Sequence, residues 1–417
     1  MVSLAPDSAP ADVGFIVFSD DWGEHPSSSQ HLFRQIVQRY PVLWVNTIGM
    51  RNPTLSIADL RKVWRKASKM LGGRKAPAAP AAVRPPLLQV SQPFMLPFSG
   101  SSFVRRFNRR SVLRAVEALA AKHLPARRIV VSSVPNACDY VRDLGAERVV
   151  YYCVDDFTQW PGFEHGLVRE MESRLINASD VLVATSRKLQ SMLSTHGKPV
   201  HLLTHGVDVD LFASEAAAVH PAIASIPSPR VGYFGLIDER SDQQLLGEVI
   251  RRMPDISFVF TGPVATSVEN LSRYPNAHFT GSLPYAELPS LVKGLSALML
   301  PYLVNDFTAS ISPLKMKEYL ATGRPVIATP MPEAVLQASH VTIAADTEAW
   351  VSAIRASLSV DIDARRARMR EVLAGESWRD KASAFLQICG SQPGALVRDK
   401  EWATEWASKS TSQSTRE

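Results

Sequence analysis

Residues Ser296 to Glu333 read SALMLPYLVNDFTASISPLKMKEYLATGRPVIATPMPE. Ala297 to Leu300 is a short apolar run closed by Pro301, the pattern of a buried strand. Past a polar loop, Ser312 and Pro313 offer a cap residue and a proline at the first helical position. Gly323 suits a left-handed helix end, and Pro325 opens Val326-Ile327-Ala328 as the next strand. Strand, loop, helix and strand make a parallel α/β unit, and its loop lies at the carboxyl end of a strand, where such sheets bind ligands. The amides of the first helical turn, with the helix dipole, favour an anion such as phosphate. Lys315 adds a full charge in that turn. Glu318, three residues on over the same exposed face, is an acceptor for paired hydroxyls such as those of a ribose, while Met316, Tyr319 and Leu320 pack inward. The same two side chains also fit a solvated surface ion pair worth only about 0.3 kcal/mol.

The run SPLKMKEYLATGRPVIAT, followed by Pro332-Glu333, resembles the nucleotide-sugar motif of GT-B glycosyltransferases, in particular the large, mostly retaining group called family 4 or group 1. The resemblance implies an α/β chain of two Rossmann-like domains facing across a cleft. It also implies a donor diphosphate against Ser312, Pro313, Leu314 and Lys315, with the nucleotide ribose on Glu318. That group usually carries two glutamates eight residues apart, and the position of the first is Ser310 here. The resemblance therefore leaves the grip on the sugar ring unspecified.

A chain of 417 residues exceeds what one core usually serves, so two domains are expected. With 46% apolar and 21% charged residues the composition is that of a globular protein able to bury a large core. No apolar run approaches the length of a membrane span, and MVSLAPDSAPADVG has neither the basic start nor the apolar stretch of a signal peptide, so the expected location is the cytoplasm. Cys138, Cys153 and Cys389 are far apart and odd in number, which reads as buried apolar positions and not as a disulfide frame or a metal site. Net charge is +6, but residues 1–110 hold 15 Lys plus Arg against 6 Asp plus Glu. That local +9, against −3 for the remainder, favours an acidic surface as partner of the first quarter.

Val13 to Phe18 reads as a first strand, with Ser19 to Pro26 as the loop at its carboxyl end. Ser29 or a neighbour then caps a helix whose apolar face is Leu32, Phe33, Ile36 and Val37, and Val42 to Val45 returns as a strand. No GxGxxG follows the first strand, so a dinucleotide site has little support. In this loop Asp20, Asp21 and His25 are candidates to orient an acceptor hydroxyl, or simply a capping cluster. The loop resembles, loosely, the opening loop of the same glycosyltransferases. Residues 57–75, IADLRKVWRKASKMLGGRK, carry seven basic residues after Asp59 and no further acid, with Leu60, Val63, Trp64, Ala67, Met70 and Leu71 at helical spacing. A basic amphipathic helix of this kind settles at an anionic membrane face. A second basic cluster spans Phe103 to Arg110, beyond an Ala/Pro-rich spacer at 76–86. Nucleic acid would attract the same charge, but no nucleic-acid motif accompanies it; a merely solvated charged face is the other alternative.

Arg148 to Val154 reads as a strand ending in Asp155 and Asp156, adjacent carboxylates placed to bind sugar hydroxyls or accept a proton, or to cap the next helix. YYCVDDFTQWPG, with Trp160, resembles the acceptor-side segment of bacterial polysaccharide glycosyltransferases. His205-Gly206-Val207-Asp208 resembles the segment that ends their first domain. Asp208 and Asp210 spell D-x-D, a metal signature of another class, which is discounted at an interdomain turn. After the Ala/Ser/Pro-rich linker 213–229, Arg230 to Gly235 restarts a strand with a glycine-bearing turn that admits phosphate to the backbone. Ile256 to Phe260 with Gly262 repeats the device. By the resemblance, Arg240 faces Lys315 across the donor diphosphate, and the segment Gly281 to Pro289, including Leu283, lies against the base.

The expected organisation is thus an acceptor domain at 1–212 with a membrane-facing segment at 57–110, a linker at 213–229, a donor domain at 230–390, and a C-terminal helix and disordered tail at 391–417. The expected activity is transfer of a sugar from a nucleotide-sugar donor, such as a UDP- or GDP-sugar, to a lipid-linked or other glycan acceptor at the inner face of the plasma membrane, without a metal or other cofactor and without nucleic acid. Retention is expected; with inversion, Asp155, Asp156 or Asp21 becomes the required base. A non-catalytic scaffold and a GT-B-shaped nucleotide-sugar epimerase are the alternatives.

Overall fold

The strand β1, Val13–Ser19, is buried at every position. A strand with one wet face would alternate; burial on both faces is what helices on either side of a parallel sheet impose. The computed structural model describes residues 12–23, 27–47, 85–97, 100–160, 162–214 and 218–390. The expectations for His25, for the basic helix at 57–75 and for the tail at 391–417 lie outside those residues. The chain divides into two units, Met1–Thr204 with Arg379–Glu417, and His205–Trp378.

In the first unit β1 is joined by β2 (Val42–Asn46), β3 (Leu88–Ser91), β4 (Arg127–Ser132), β5 (Arg148–Cys153), β6 (Val181–Ala184) and β7 (Val200–Leu202). They form one parallel sheet in the order β3-β2-β1-β4-β5-β6-β7. In the second, β8 (Arg230–Phe234), β9 (Ser257–Thr261), β10 (Ala277–Gly281), β11 (Ala297–Leu300), β12 (Val326–Ala328) and β13 (Thr342–Ile343) run parallel in the order β10-β9-β8-β11-β12-β13. Both are doubly wound, and strand order reverses between β1 and β4 and between β8 and β11, the switch points where such sheets take ligands.

Several elements went unread in the sequence, among them two helices and a strand. The helix Ser102–His123 turns the second basic cluster into its first two turns and buries only Asn108, Val112, Val116 and Ala120. Its arginines dilute the apolar stripe that periodicity needs. The strand β3 comes after the proline-rich stretch and pairs with β2 from Val42↔Leu88 to Val45↔Ser91. The helix Gln243–Arg252 is capped by the Asp242 side chain, which accepts from the Leu245 amide.

Two boundaries differ from the expectation. The HGVD segment packs with the second unit: Val207 bridges Ser377, and Gly206 lies so close to Trp378 that a Cβ there would come within 2.8 Å of the ring. Asp208 caps the turn Val209–Phe212 by accepting from the Leu211 amide at 3.1 Å. The helix Trp378–Gly390, expected with the donor domain, lies almost wholly in the first unit. Phe385 is fully buried there, its ring 5.9 Å from that of Phe33 and 5.7 Å from that of Tyr152.

Candidate donor site and the acidic loops

Gly235 and Gly262 come directly after β8 and β9 with φ of 131° and 142°, conformations that a side chain rarely tolerates. The space requires glycine as well. A Cβ on Gly262 would fall 1.9 Å from the Gly235 carbonyl oxygen, and one on Gly235 would fall 1.8 Å from Lys315 Cε. The two turns and the Lys315 stem therefore pack backbone to backbone to side chain at the carboxyl ends of neighbouring strands.

Lys315 belongs to the helix Leu314–Ala321, whose N-cap is Pro313 and not Ser312. Proline lacks a side-chain acceptor, so no side chain caps this helix. Lys315 is half-buried; its Nζ donates to the Tyr302 hydroxyl at 3.0 Å and stands 5.3 Å from the centre of the Tyr233 ring. Arg240 meets the same Tyr302 from another side, its guanidinium 5.7 Å from the ring centre. Its Nε donates to both Asp238 oxygens at 2.9 Å. Burial works against the Arg240 charge, and the Asp238 bond outweighs it, so the group is held charged. Burial likewise raises the Tyr302 phenol, but Lys315 and Arg240 together bring it below the usual tyrosine range. Tyr302 thus links the two cations named in the sequence. It was missed there, although its place directly after β11 and Pro301 is a strand-end position.

Glu318 differs from the exposed face expected of it: it is only 5% exposed, and Oε1 accepts from the Tyr285 hydroxyl at 2.8 Å. The reason is the crowding of Tyr285 and of the turn Val209–Phe212 over the second helical turn. Burial pushes its carboxyl from 4.5 up to about 7; the Tyr285 bond and Lys315 pull the other way, and Asp208 adds to the rise. Met316, Tyr319 and Leu320 pack inward as expected. Leu283 is half-buried against the core of the second unit. Ser310 is 1% exposed and donates to the Phe307 carbonyl at 3.2 Å, so a small hydroxyl fills the place of the usual glutamate. Gly323, φ 74°, ends the helix with no room for a Cβ against Arg366.

In the first unit the acidic candidates are engaged by their own loops. Asp20 accepts from Ser19, Ser27 and Gln30 side chains and is the pin of the loop after β1. Asp21 offers its carbonyl to Gln30 at 3.2 Å. Asp156, 4% exposed, caps the turn Phe157–Gln159 by accepting from both the amide and the hydroxyl of Thr158. Asp155 stays half-buried and accepts from the Asp156 amide at 2.9 Å. The capping alternative therefore applies to Asp156, which separates two residues the sequence ranked together. Trp160 stacks between Phe157 and Phe163, with centroids 6.2 and 6.1 Å away.

Residues 228–359 match the family model of glycosyl transferases group 1. A Bacillus subtilis (strain 168) glycosyltransferase named for teichuronic acid biosynthesis, TuaH, is 28% identical over 179 residues, a match covering 41% of this chain and 45% of that protein. The chain thus spans less than half the length of that curated relative. Among solved structures, sucrose-phosphate synthase of Thermosynechococcus elongatus superposes with a TM-score of 0.65 at 14% identity, covering 90% of this chain and 98% of that one. Anabaena HepE in complex with UDP and glucose gives 0.59 at 12% identity, covering 91% and 99%. At these identities the likeness establishes the fold, two parallel-sheet α/β domains of the GT-B type. The fold is therefore of the GT-B type, and the stretch that matches the group 1 glycosyltransferases, residues 228–359, lies in its second unit.

Proposed function

We propose that this chain transfers a sugar from a nucleotide-sugar donor to a lipid-linked glycan acceptor in polysaccharide synthesis, with retention and without a metal. The observation that carries the reading is the corner where two glycine turns pack against the stem of Lys315 at an uncapped helix start, and where Lys315 and Arg240 both meet Tyr302. Preorganised donors of this kind stabilise charge as it builds on a departing diphosphate. Glu318 takes the ribose hydroxyls, and the glycines let the phosphates approach the backbone. The UDP and glucose of the HepE complex and the teichuronic acid in the name of the Bacillus relative support this class of donor and product. With retention, the departing phosphate itself takes the acceptor proton and no protein base is needed. With inversion, Asp155 and Asp21 become the candidates for the base, since Asp156 already accepts two bonds from Thr158.

The acceptor side carries a further argument. On the helix Ser102–His123, Phe103 is 74% and Phe107 39% exposed, and Phe94, 45% exposed, touches Phe107 edge to face. Arg106 and Arg110 lie beside them in sequence, both exposed. Aromatic rings among arginines fit the headgroup layer of an anionic membrane, which supports a peripheral position for the enzyme at the cytoplasmic face. No helix among the described residues is long and apolar enough to cross a membrane.

The test is incubation of the full chain with a panel of UDP- and GDP-sugars and bacterial membranes, read by mass spectrometry. Sugar on lipid supports the reading, and a changed free sugar nucleotide overturns it in favour of an epimerase. Binding without turnover would instead favour the scaffold, the reading to which the serine at position 310 lends weight. For the membrane part, Phe103→Ser with Phe107→Ser is expected to weaken co-sedimentation with phosphatidylglycerol vesicles several-fold; unchanged co-sedimentation overturns that part.

A further inference from the structure

The carboxylate assigned to the ribose already has a partner. Tyr285 donates to Oε1 of Glu318 at 2.8 Å, and among the described residues nothing bonds Oε2. The phenol is not loosely placed. Its ring meets Phe212 edge-on at 5.4 Å and 90°, and Phe212 stacks on Phe234 at 5.9 Å and 7°. Phe234 is in turn held from both sides by Tyr319, whose hydroxyl accepts from the Phe234 amide at 2.9 Å and donates to its carbonyl at 3.0 Å. A column of rings rooted in β8 therefore fixes where the Tyr285 hydroxyl stands, and through it one of the two Glu318 oxygens.

We propose that Tyr285 is the positioning residue for the donor ribose: by holding Oε1 it commits Oε2 to the ribose hydroxyls and so makes the site select ribonucleotides over 2′-deoxyribonucleotides. The inference rests on the reading that Glu318 meets the ribose, and deepens it. A buried carboxyl with one oxygen fixed presents a single acceptor in one direction. A hydroxyl missing from that direction leaves a buried acceptor unpaired, which costs more than the bond itself was worth. The charged and titratable groups that act on Glu318 are Lys315 on its own helix, Tyr285, and Asp208 at the head of the turn Val209–Phe212. Tyr285 and Lys315 favour the ionised form and Asp208 opposes it. Loss of the Tyr285 hydroxyl therefore moves the titration of Glu318 upward in pH.

The test is calorimetric binding of UDP, GDP and ADP and their 2′-deoxy counterparts to the full chain between pH 5.5 and 8.5. The nucleotide bound best is expected to lose about 10-fold in affinity without its 2′-hydroxyl. Tyr285→Phe is expected to weaken the ribonucleotide by about 10-fold and the deoxynucleotide far less, and to move the pH midpoint of ribonucleotide binding upward. In a Glu318→Gln background, Tyr285→Phe has no such ribo-specific effect. Equal losses for both sugars, or an unmoved pH midpoint, overturn this inference while leaving nucleotide binding intact. Failure of the wild-type chain to bind any of the six nucleotides overturns the proposed function together with it.

Discussion

The carboxylates after β1 and β5 and the charged groups after β8 and β11 occupy equivalent places in two sheets of the same type, yet they are held differently. In the first unit Asp20 and Asp156 accept from hydroxyls and amides of their own loops, so their hydrogen-bonding capacity goes into turn geometry. In the second, Lys315 and Glu318 are each held by one tyrosine hydroxyl from another element, and neither has an ion pair among the described residues. A neutral phenol fixes the position of a charge without cancelling its field. A charge so held keeps its electrostatic effect for a ligand, whereas a saturated cap contributes to the fold alone.

The largest expected effect tests that distinction directly. Lys315→Met, which keeps the packed stem and removes the charge, is expected to lower turnover with the preferred donor by about 10²- to 10³-fold while changing the thermal midpoint little, as parallel rate and melting measurements would show. An equal loss from Asp156→Asn would erase the contrast. Next comes Glu318→Gln, through its pH dependence. Between 4.5 and about 7 the folded carboxyl holds a proton that the unfolded one releases. The group's contribution to stability is therefore full below 4.5 and lost as pH rises through about 7. The variant is free of that loss, so urea unfolding should show it gaining about 3 kcal/mol on the wild type between pH 4 and pH 8. Smaller again is Asp156→Ala, expected to destabilise the first unit by about 1 kcal/mol through its lost cap. At the bottom of the scale, Ser312→Ala is expected to change stability by less than about 0.5 kcal/mol, because Pro313 occupies the cap position; a loss typical of a helix cap would restore Ser312 to that role.

Much of the second unit was legible because its signals are local. The strand Ala297–Leu300 and the strand Val326–Ala328 form at the predicted residues, and Gly323 ends the helix between them. The glycines at 235 and 262 stand where a turn needs positive φ. Tyr302, Tyr285 and Asp238 were not legible, since their roles come from pairings 13, 33 and 2 residues away that neither motif nor periodicity encodes. The exposure expected of Glu318 failed for the same reason, because its cover arrives from Tyr285 and the turn at Val209. In the first unit the arginine-rich start of the helix Ser102–His123 hid a helical pattern, and Arg105 and Arg109 turned out to be paired with Asp139 and Asp143.

The burial of Phe385 between Phe33 and Tyr152 sets a rule for taking the chain apart. Residues 205–378 are one uninterrupted stretch, so this half is suited to expression on its own or to exchange as a cassette between relatives. The other half is completed only by chain beyond that stretch, and a truncation before Arg379 would uncover aromatic surface on Phe33 and Tyr152. Cutting and grafting should therefore respect two seams, and a hybrid must carry the returning helix from the same parent as the sheet it covers.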